Sequence, residues 1–218
     1  MNQLFDFDNS FEGKIIIGTD EAGRGPAAGG VFAACVCFKN NSANLIKRLA
    51  KLNDSKKLSK SAREKLYDII KLNTLNSVVC VEVDEIEKNN ILNSSLKAMK
   101  LACENVISQI CESKNKILTL VDGNKFIKNY DYDQKFIIKG DGKSASIAAA
   151  SILAKVERDW YMQKLDKEFP QYGFGQNAGY LTPKHIEAID KYGLSPCHRP
   201  SFLKKHFESK KVKQLSLI

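Results

Sequence analysis

Residues 14–38 read KIIIGTDEAGRGPAAGGVFAACVCF, two apolar segments joined by a link rich in glycine and alanine. The segments 14–19 and 31–38 have the length and composition of buried strands. Because the link between them is short, we expect the two strands to be neighbours in one sheet. The first strand runs directly into two acids, Asp20 and Glu21.

Strands and helices alternate along much of the remaining chain. Capping boxes at Ser61 and Asp84, and a proline after Thr182, mark helix starts. Further strands are predicted at 77–83, 117–121 and 135–139, and helices at 61–72, from Asp84 onward, at 144–169 and from Pro183. The helix after Asp84 carries an apolar stripe of Leu92, Leu96, Met99, Cys103, Val106 and Ile110. We therefore expect an α/β fold with a mixed β-sheet flanked by helices, rather than a purely parallel sheet.

The sequence predicts one large folded unit with smaller parts at its ends. A chain of 218 residues is long enough for one full core but short for two ordinary domains. The helical pattern is interrupted by PQYGFGQNAGY, which begins at Pro170. We divide the chain into an N-terminal segment (1–13), a main domain (14–169) and a C-terminal helical extension with a tail (170–218).

The composition is that of a globular protein with a basic surface. Hydrophobic residues make up 43% and charged residues 27% of the chain, which argues against disorder. The longest apolar runs are shorter than the roughly 20 residues of a membrane helix, and the N-terminus lacks a signal pattern. We therefore expect a cytoplasmic protein without membrane contact. The net charge of +9 favours a polyanionic partner, nucleic acid first.

Four acids follow predicted strands. Asp20, Asp122 and Asp141 each stand at the end of one, and Glu21 follows the first. In an open α/β sheet these strand ends border the ligand crevice, so the four carboxylates are expected to meet there. Like charges repel unless a cation lies among them, and oxygen ligands favour Mg²⁺ or Mn²⁺. A pair of such ions clamps a scissile phosphate, so the pattern predicts phosphodiester hydrolysis.

The link residues Gly23, Arg24 and Gly25 have the composition of a substrate-binding loop. Glycine lets a substrate approach the main chain, and arginine meets a phosphate with a planar set of donors. A dinucleotide-binding G-x-G-x-x-G is disfavoured. The next glycine is Gly29, one residue late, and Pro26 stands where the phosphate-binding helix would open.

Two other loops offer candidate substrate contacts. Lys56 and Lys57 in NDSKKL could bind phosphates, although a solvated turn explains them about as well. Tyr180 in YGFGQNAGYLTPKH is either a loop anchor or a ring that stacks on a sugar or base.

The remaining polar candidates are interpreted as structural. Asp159 lies within a predicted helix, where an ion pair with Arg158 or Lys155 explains it. The histidines have neither metal-ligand spacing nor a nucleophile partner, so surface or hydrogen-bonding roles are expected for His185, His198 and His206.

Six blocks of sequence occur in an order that resembles bacterial ribonuclease HII, the type 2 ribonuclease H. They are IGTDEAGRGPAAG, LNDSKKLS, VDGN, IIKGDGKSASIAAASILAKVERD, FPQYGFGQNAGYLTPKH and HRPSF, and they span roughly residues 14 to 206. The resemblance implies a ribonuclease H-like fold with a C-terminal helical extension. It also implies an endoribonuclease that cleaves the RNA strand of RNA–DNA hybrids and cuts 5′ of single ribonucleotides embedded in duplex DNA.

The resemblance also implies roles for individual residues. The four carboxylates become the catalytic, metal-binding groups. The backbone of Gly23, Arg24 and Gly25 would read the ribose 2′-hydroxyl, and Tyr180 would stack on the following deoxyribose. The related ribonuclease HIII usually has an extra N-terminal domain and lacks the GRG block, so it fits this chain less well.

We expect a monomer whose partner is an RNA–DNA hybrid or ribonucleotide-containing duplex DNA. The C-terminal ESKKVKQLSLI either docks on a partner such as a sliding clamp or is a solvated end. Two other functions stay open: a non-catalytic nucleic-acid-binding protein that kept the fold, and a nuclease that cuts DNA or structured RNA. The four acids argue against the first, and the GRG block and Tyr180 against the second.

Overall fold

The computed structural model describes residues 2–52, 55 and 58–215, with side chains up to residue 208. Lys56 and Lys57 lie outside the described residues. The strands are β1 (Ile15–Ala22), β2 (Val31–Phe38), β3 (Thr74–Val81), β4 (Ile117–Asp122) and β5 (Asp133–Ile137). The helices are α1 (Gln3–Asn9), α2 (Ala43–Arg48), α3 (Lys60–Asn73), α4 (Val83–Asn89), α5 (Ile91–Ile107), α6 (Ala145–Glu168), α7 (Phe174–Asn177), α8 (Pro183–Tyr192) and α9 (Pro200–Leu215).

The strands form one mixed sheet in the order β3-β2-β1-β4-β5. The β1–β2 and β2–β3 pairs are antiparallel, and the β1–β4 and β4–β5 pairs are parallel. The register aligns Thr19 of β1 with Val121 of β4, so Asp20 and Asp122 lie at the same edge of the sheet. The predicted mixed sheet with flanking helices is confirmed.

Helices α5 and α6 cover the two faces of the sheet. Ile17 of β1 packs in one cluster with Met99 of α5, whereas the next residue, Gly18, faces α6. A Cβ on Gly18 would lie 2.3 Å from the main-chain carbon of Ser146, so glycine allows α6 to pack directly on β1. Residues 145–154 of α6 are buried throughout, and this half of the helix consists of small and apolar residues, with two hydrogen-bonded serines, Ser146 and Ser151.

Most predicted strands are confirmed, but some of their ends differ. β2 has the predicted bounds, and β1 extends beyond the predicted strand, so Asp20 and Glu21 lie within it. β5 ends at Ile137. The expectation that Asp141 stands at a strand end is therefore wrong, because this residue lies in the short 3₁₀ turn Gly140–Gly142.

Helix starts depend on caps, and two of the predicted caps are wrong. α3 is capped by Ser59, whose Oγ accepts a backbone N–H of the first turn at 3.3 Å, and not by Ser61. α4 follows Glu82, so it begins before the predicted cap Asp84. A backbone break at Asn90, with φ of 61°, separates α4 from α5, and the Asn90 side chain caps α5.

The C-terminal helices pack against the link between β1 and β2. One cluster joins Ala28 of the link to Met162 of α6, Phe174 of α7, Ile189 of α8 and Leu203 of α9. The expected helical C-terminal region is therefore present, although α7 and α9, like α1 and α2, are absent from the sequence prediction. Among the helices that the structure describes, none combines the length and apolar character needed to cross a membrane.

Candidate active site

Asp20 and Asp122 occupy the same edge of the sheet on adjacent parallel strands. Asp20 is 5% exposed, whereas Glu21 and Asp122 are partly exposed. The charges of Glu21 and Asp122 both act on Asp20. The fold thus brings together three of the four predicted acids.

The pKa of Asp20 is raised well above its ordinary value. Burial is the largest cause, followed by repulsion from Glu21 and then from Asp122. Two hydrogen bonds oppose this shift: the Glu21 N–H donates to Oδ1 at 2.7 Å, and Ser151 of α6 bonds to the carboxyl. The Ser151 Oγ lies 2.9 Å from the Oγ of Ser55, so Asp20 is linked to the NDSKKL segment.

The turn that carries Asp141 lies next to this edge. The N–H of Gly140 donates to Oδ1 of Asp122 at 2.6 Å. This bond holds the turn that carries Asp141 against the end of β4. The role of Asp141 as the fourth carboxylate stays a prediction.

The donor set fits a hard divalent cation, but the side chains are not arranged as a finished metal site. Within the residues that the structure describes, no three His, Cys, Asp or Glu side chains form a metal-binding cluster. Glu21 pairs with Arg24, with Oε1 3.1 Å from Nη1. A cation beside Asp20 would offset the repulsion from Asp122, and carboxylate oxygens are the ligands that Mg²⁺ and Mn²⁺ prefer. Metal binding by the four acids stays a prediction.

The GRG segment and Tyr180 lie next to each other. Gly23 has φ of 98°, and a Cβ there would lie 2.2 Å from Nε of Arg158, so only glycine fits. A Cβ on Gly25 would lie 3.4 Å from Cε1 of Tyr180. Tyr180 as a whole is 54% exposed, so solvent reaches this residue beside the Gly25 backbone.

A buried arginine of α6 holds these two segments in place. Arg158 donates to the carbonyls of Gly30 at 3.3 Å, Ala28 at 3.2 Å and Ala178 at 3.1 and 3.2 Å. Burial lowers its pKa. Sequence analysis missed this role, although Arg158 falls on the buried stripe of α6, four residues before Met162.

A second buried arginine, Arg199, comes from the C-terminal part of the chain and also holds the link between β1 and β2 in place. Its Nε and Nη2 donate to the Gly29 carbonyl at 2.8 and 2.5 Å, and Nη1 donates to Pro26 at 2.8 Å. Burial, with a smaller contribution from the charge of Arg158, lowers the pKa of Arg199 to about 10. Sequence analysis missed Arg199 as well, since its partners lie in a distant part of the chain.

Comparison with known proteins identifies the family. The ribonuclease HII family model matches residues 17–210. The chain belongs to the ribonuclease HII family. It is 46% identical over 213 residues to Ribonuclease HII of Fusobacterium nucleatum, covering 97% of this chain and 95% of that protein. It is 45% identical over 203 residues to Ribonuclease HII of Clostridioides difficile, covering 92% and 75% respectively.

Solved structures of ribonucleases H share the fold. In the PCNA:RNase HII complex from Archaeoglobus fulgidus, the nuclease aligns with a TM-score of 0.65 and 25% identity, over 85% of this chain and 93% of that chain. Ribonuclease H2 from Pyrococcus horikoshii aligns with a TM-score of 0.67 and 26% identity, over 87% and 95%. The ribonuclease H-like fold expected from the motifs is confirmed. As a ribonuclease HII, the chain is a type 2 endoribonuclease acting on RNA–DNA hybrids.

The predicted ion pair between Asp159 and Lys155 is present, and it is part of a larger network. Asp159 also pairs with Arg63, whose Nη2 lies 3.4 Å from Oδ2. Arg63 donates to the carbonyls of Ser55 at 3.2 Å and Leu58 at 2.7 Å. This network anchors both sides of the NDSKKL lysines, whose predicted phosphate contacts fall outside the described residues.

The histidines have the expected hydrogen-bonding roles. His206 lies 2.9 Å from Asp190 on the surface. His185 and His198 are buried and bond to each other at 3.0 Å. The pairing of these two was not predicted, because they come from separate motif blocks.

Proposed function

We propose that this enzyme cuts on the 5′ side of a single ribonucleotide embedded in duplex DNA, using Mg²⁺ or Mn²⁺, in addition to cleaving RNA–DNA hybrids. One observation carries the proposal: the Tyr180 ring lies against Gly25, so an exposed aromatic residue and a bare backbone border the same surface. A junction between ribose and deoxyribose presents a 2′-hydroxyl on one nucleotide and a sugar without this hydroxyl on the next. The Gly25 main chain can bond the hydroxyl, and the Tyr180 ring can stack on the deoxyribose.

The GRG segment supports recognition of the 2′-hydroxyl. This hydroxyl both donates and accepts a hydrogen bond, and backbone amides and carbonyls supply both kinds of partner. The Arg24 side chain is 49% exposed, although it pairs with the more buried side chain of Glu21. A guanidinium has several N–H donors, so the exposed part of Arg24 is the proposed contact to a phosphate next to the ribonucleotide.

Four acids, Asp20, Glu21, Asp122 and Asp141, are the proposed metal ligands and catalytic residues. When bound, divalent ions activate a water molecule and stabilise the leaving oxygen. Asp20 contributes a buried carboxylate on a rigid strand, oriented by the Glu21 amide and by Ser151. Asp122 is oriented by the Gly140 N–H. These bonds restrict both side chains before substrate arrives.

Several partner assignments stay predictions. Phosphate binding by Lys56 and Lys57 fits their position between residues that Arg63 anchors. The Archaeoglobus fulgidus relative was solved in complex with PCNA, and docking of the C-terminal tail of this chain on a clamp stays a prediction. The monomeric state and the cytoplasmic location are likewise predictions.

A cleavage assay tests the proposal. A DNA duplex with one ribonucleotide is compared with all-DNA and RNA–DNA duplexes, in Mg²⁺, in Mn²⁺ and in chelator. We expect one cut 5′ of the ribonucleotide, no cut in all-DNA, and no activity in chelator. Cleavage of the hybrid alone would contradict single-ribonucleotide recognition, and activity in chelator would contradict the metal assignment.

A further inference from the structure

Two buried histidines connect the Tyr180 loop to the segment that packs on the GRG link. His185, in the first turn of α8, is fully buried, and His198 is 2% exposed. Their Nε2 atoms lie 3.0 Å apart. The His185 Nδ1 lies 2.9 Å from the carbonyl oxygen of Tyr180, and the His198 Nδ1 lies 2.9 Å from the backbone N of Ser195.

The two ends of this chain of hydrogen bonds determine where every proton lies. A backbone N–H can only donate, so the Nδ1 of His198 accepts from Ser195 and the neutral ring carries its proton on Nε2. That N–H donates to the Nε2 of His185, which therefore carries its own proton on Nδ1. A carbonyl can only accept, and the His185 Nδ1–H donates to Tyr180. The chain is complete only with both rings neutral and in opposite tautomers.

The surroundings keep the pair neutral and fixed. Burial lowers the pKa of His185, and burial together with His185 lowers the pKa of His198 to about 4. Tyr172 and Phe174 pack against both rings, with the Tyr172 and His198 centroids 4.7 Å apart. The two imidazoles therefore have one protonation state and one orientation at neutral pH.

The pair joins the two halves of the proposed recognition surface. His198 forms a β-bridge with Ala28 of the link, and the next residue donates its N–H to the Ala27 carbonyl at 2.8 Å. His185 holds the carbonyl of Tyr180, whose ring lies against Gly25. The bond between the two histidines thus joins ring and link beside two other connections, the Ala27 N–H bond to the Gly179 carbonyl at 2.9 Å and the contacts of Arg158. Of these three connections, only the histidine bond acts on the carbonyl of Tyr180 itself.

We propose that His185 and His198 are positioning residues that set the distance between the Tyr180 ring and the GRG backbone, and so determine the preference for a ribonucleotide–deoxyribonucleotide junction. This inference rests on the proposed junction recognition. A misplacement of about 1 Å can cost on the order of 100-fold in rate. Loss of the pair is therefore expected to weaken junction cutting far more than cutting within a long hybrid, where no deoxyribose follows the cleaved ribonucleotide.

The test compares kcat/KM on a single-ribonucleotide duplex with kcat/KM on a uniform RNA–DNA hybrid. His185→Phe keeps a ring but removes both nitrogens, and we expect it to lower the junction-to-hybrid ratio by about tenfold. His185→Asn can still donate an amide N–H to Tyr180 and is expected to restore part of the ratio. The control is His206→Asn, which replaces the surface histidine that pairs with Asp190. This variant should leave the ratio unchanged.

A double mutant separates positioning from general stability. Tyr180→Ala should lower the ratio by itself, and adding His185→Phe should lower it no further, because the histidine acts through Tyr180. The proposal would be overturned if adding His185→Phe to Tyr180→Ala lowered the ratio by as much as His185→Phe does in the wild type. It would also be overturned by an equal loss on both substrates in His185→Phe, or by a loss in His185→Asn as large as in His185→Phe.

Two outcomes distinguish this inference from the proposed function. If the wild type does not cut the single-ribonucleotide duplex, the proposed function fails and the inference fails with it. If Tyr180→Ala lowers the ratio but His185→Phe does not, only the inference fails. Independently of activity, ¹⁵N NMR of the imidazoles should show His185 protonated on Nδ1 and His198 on Nε2, and any other pair of tautomers contradicts the hydrogen-bond chain.

Discussion

The carbonyl of Gly29 accepts two hydrogen bonds from the guanidinium of Arg199, 170 residues further along the chain. The guanidinium is completely buried, and its other terminal nitrogen donates to Pro26. Backbone carbonyls thus stabilise this buried charge. The link that carries the GRG segment owes its shape to this contact and to the similar contacts of Arg158.

Replacing Arg199 by methionine should destabilise the fold. The Arg199→Met change leaves the carbonyls of Gly29 and Pro26 without these donors, and an unsatisfied buried group costs about 1–3 kcal/mol. We expect the free energy of unfolding to fall by at least about 2 kcal/mol in urea titrations. Arg48→Met, on the exposed surface of α2, is the control and should change it by less than about 0.5 kcal/mol. Equal effects would show that the Arg199 bonds contribute no net stability.

Alanine should have different effects at Gly23 and Gly25. Gly23→Ala puts a Cβ 2.2 Å from Arg158 at positive φ, so we expect a loss of about 2 kcal/mol or more in stability. Gly25→Ala makes an ordinary 3.4 Å contact with Tyr180, so stability should change by less than about 1 kcal/mol. Its methyl group nevertheless occupies the proposed approach to the ribose, so junction cutting should fall. Thermal unfolding and the cleavage assay check both expectations, and full activity in Gly25→Ala would contradict the backbone role.

Asp20→Asn should stabilise the metal-free protein while abolishing cleavage. The folded-state pKa of Asp20 lies well above its ordinary 3.8, so the wild type loses stability as pH rises from there through the raised pKa. The asparagine variant avoids this loss. Since about 1 kcal/mol corresponds to roughly 2–4 °C in a chain of this length, we expect Tm in chelator near neutral pH to rise by at least about 2 °C.

The difference should disappear below pH 3.8, where the wild-type carboxyl is protonated in both the folded and the unfolded state. Added Mn²⁺ should raise the Tm of the wild type more than that of the variant. Asp131→Asn, at an exposed loop position, is the control. A lower Tm for Asp20→Asn in chelator would mean that the hydrogen bonds to Asp20 outweigh repulsion and burial.

Asp122→Asn should abolish turnover while substrate binding survives. The amide can still accept the Gly140 N–H, so the turn after β5 keeps its position, but one anionic metal ligand is lost. Cleavage rates and binding of a ribonucleotide-containing duplex, measured by fluorescence anisotropy with the same preparations, check this. Turnover at the wild-type rate would remove Asp122 from the catalytic site.

Much of the fold is predictable from local sequence. β2, the cap of α6 at Ser144 and the Thr182–Gly193 limits of α8 all follow from patterns within a few residues. The break at Asn90 and the early end of β5 are not predictable in this way. The break at Asn90 requires a positive φ, whereas the apolar stripe on both sides of it predicts one continuous helix. The end of β5 is followed by a turn whose Gly140 N–H bonds to Asp122 on another strand.

The sequence by itself determined the four acids, the GRG segment and Tyr180 as candidate site residues. Each stands beside an apolar run or a glycine, and these neighbouring residues are enough to predict the strand or loop that carries it. Only the tertiary structure showed that Tyr180 lies against Gly25, and that Arg158, Arg199 and the His185–His198 pair hold this arrangement. The physical reason is that a buried charge or imidazole is stable only where polar groups satisfy it, and the groups that join separate segments lie far apart in the chain. The Gly29 carbonyl is 170 residues from Arg199 and the Ala28 carbonyl is 130 residues from Arg158, so no pattern in neighbouring residues records these partners.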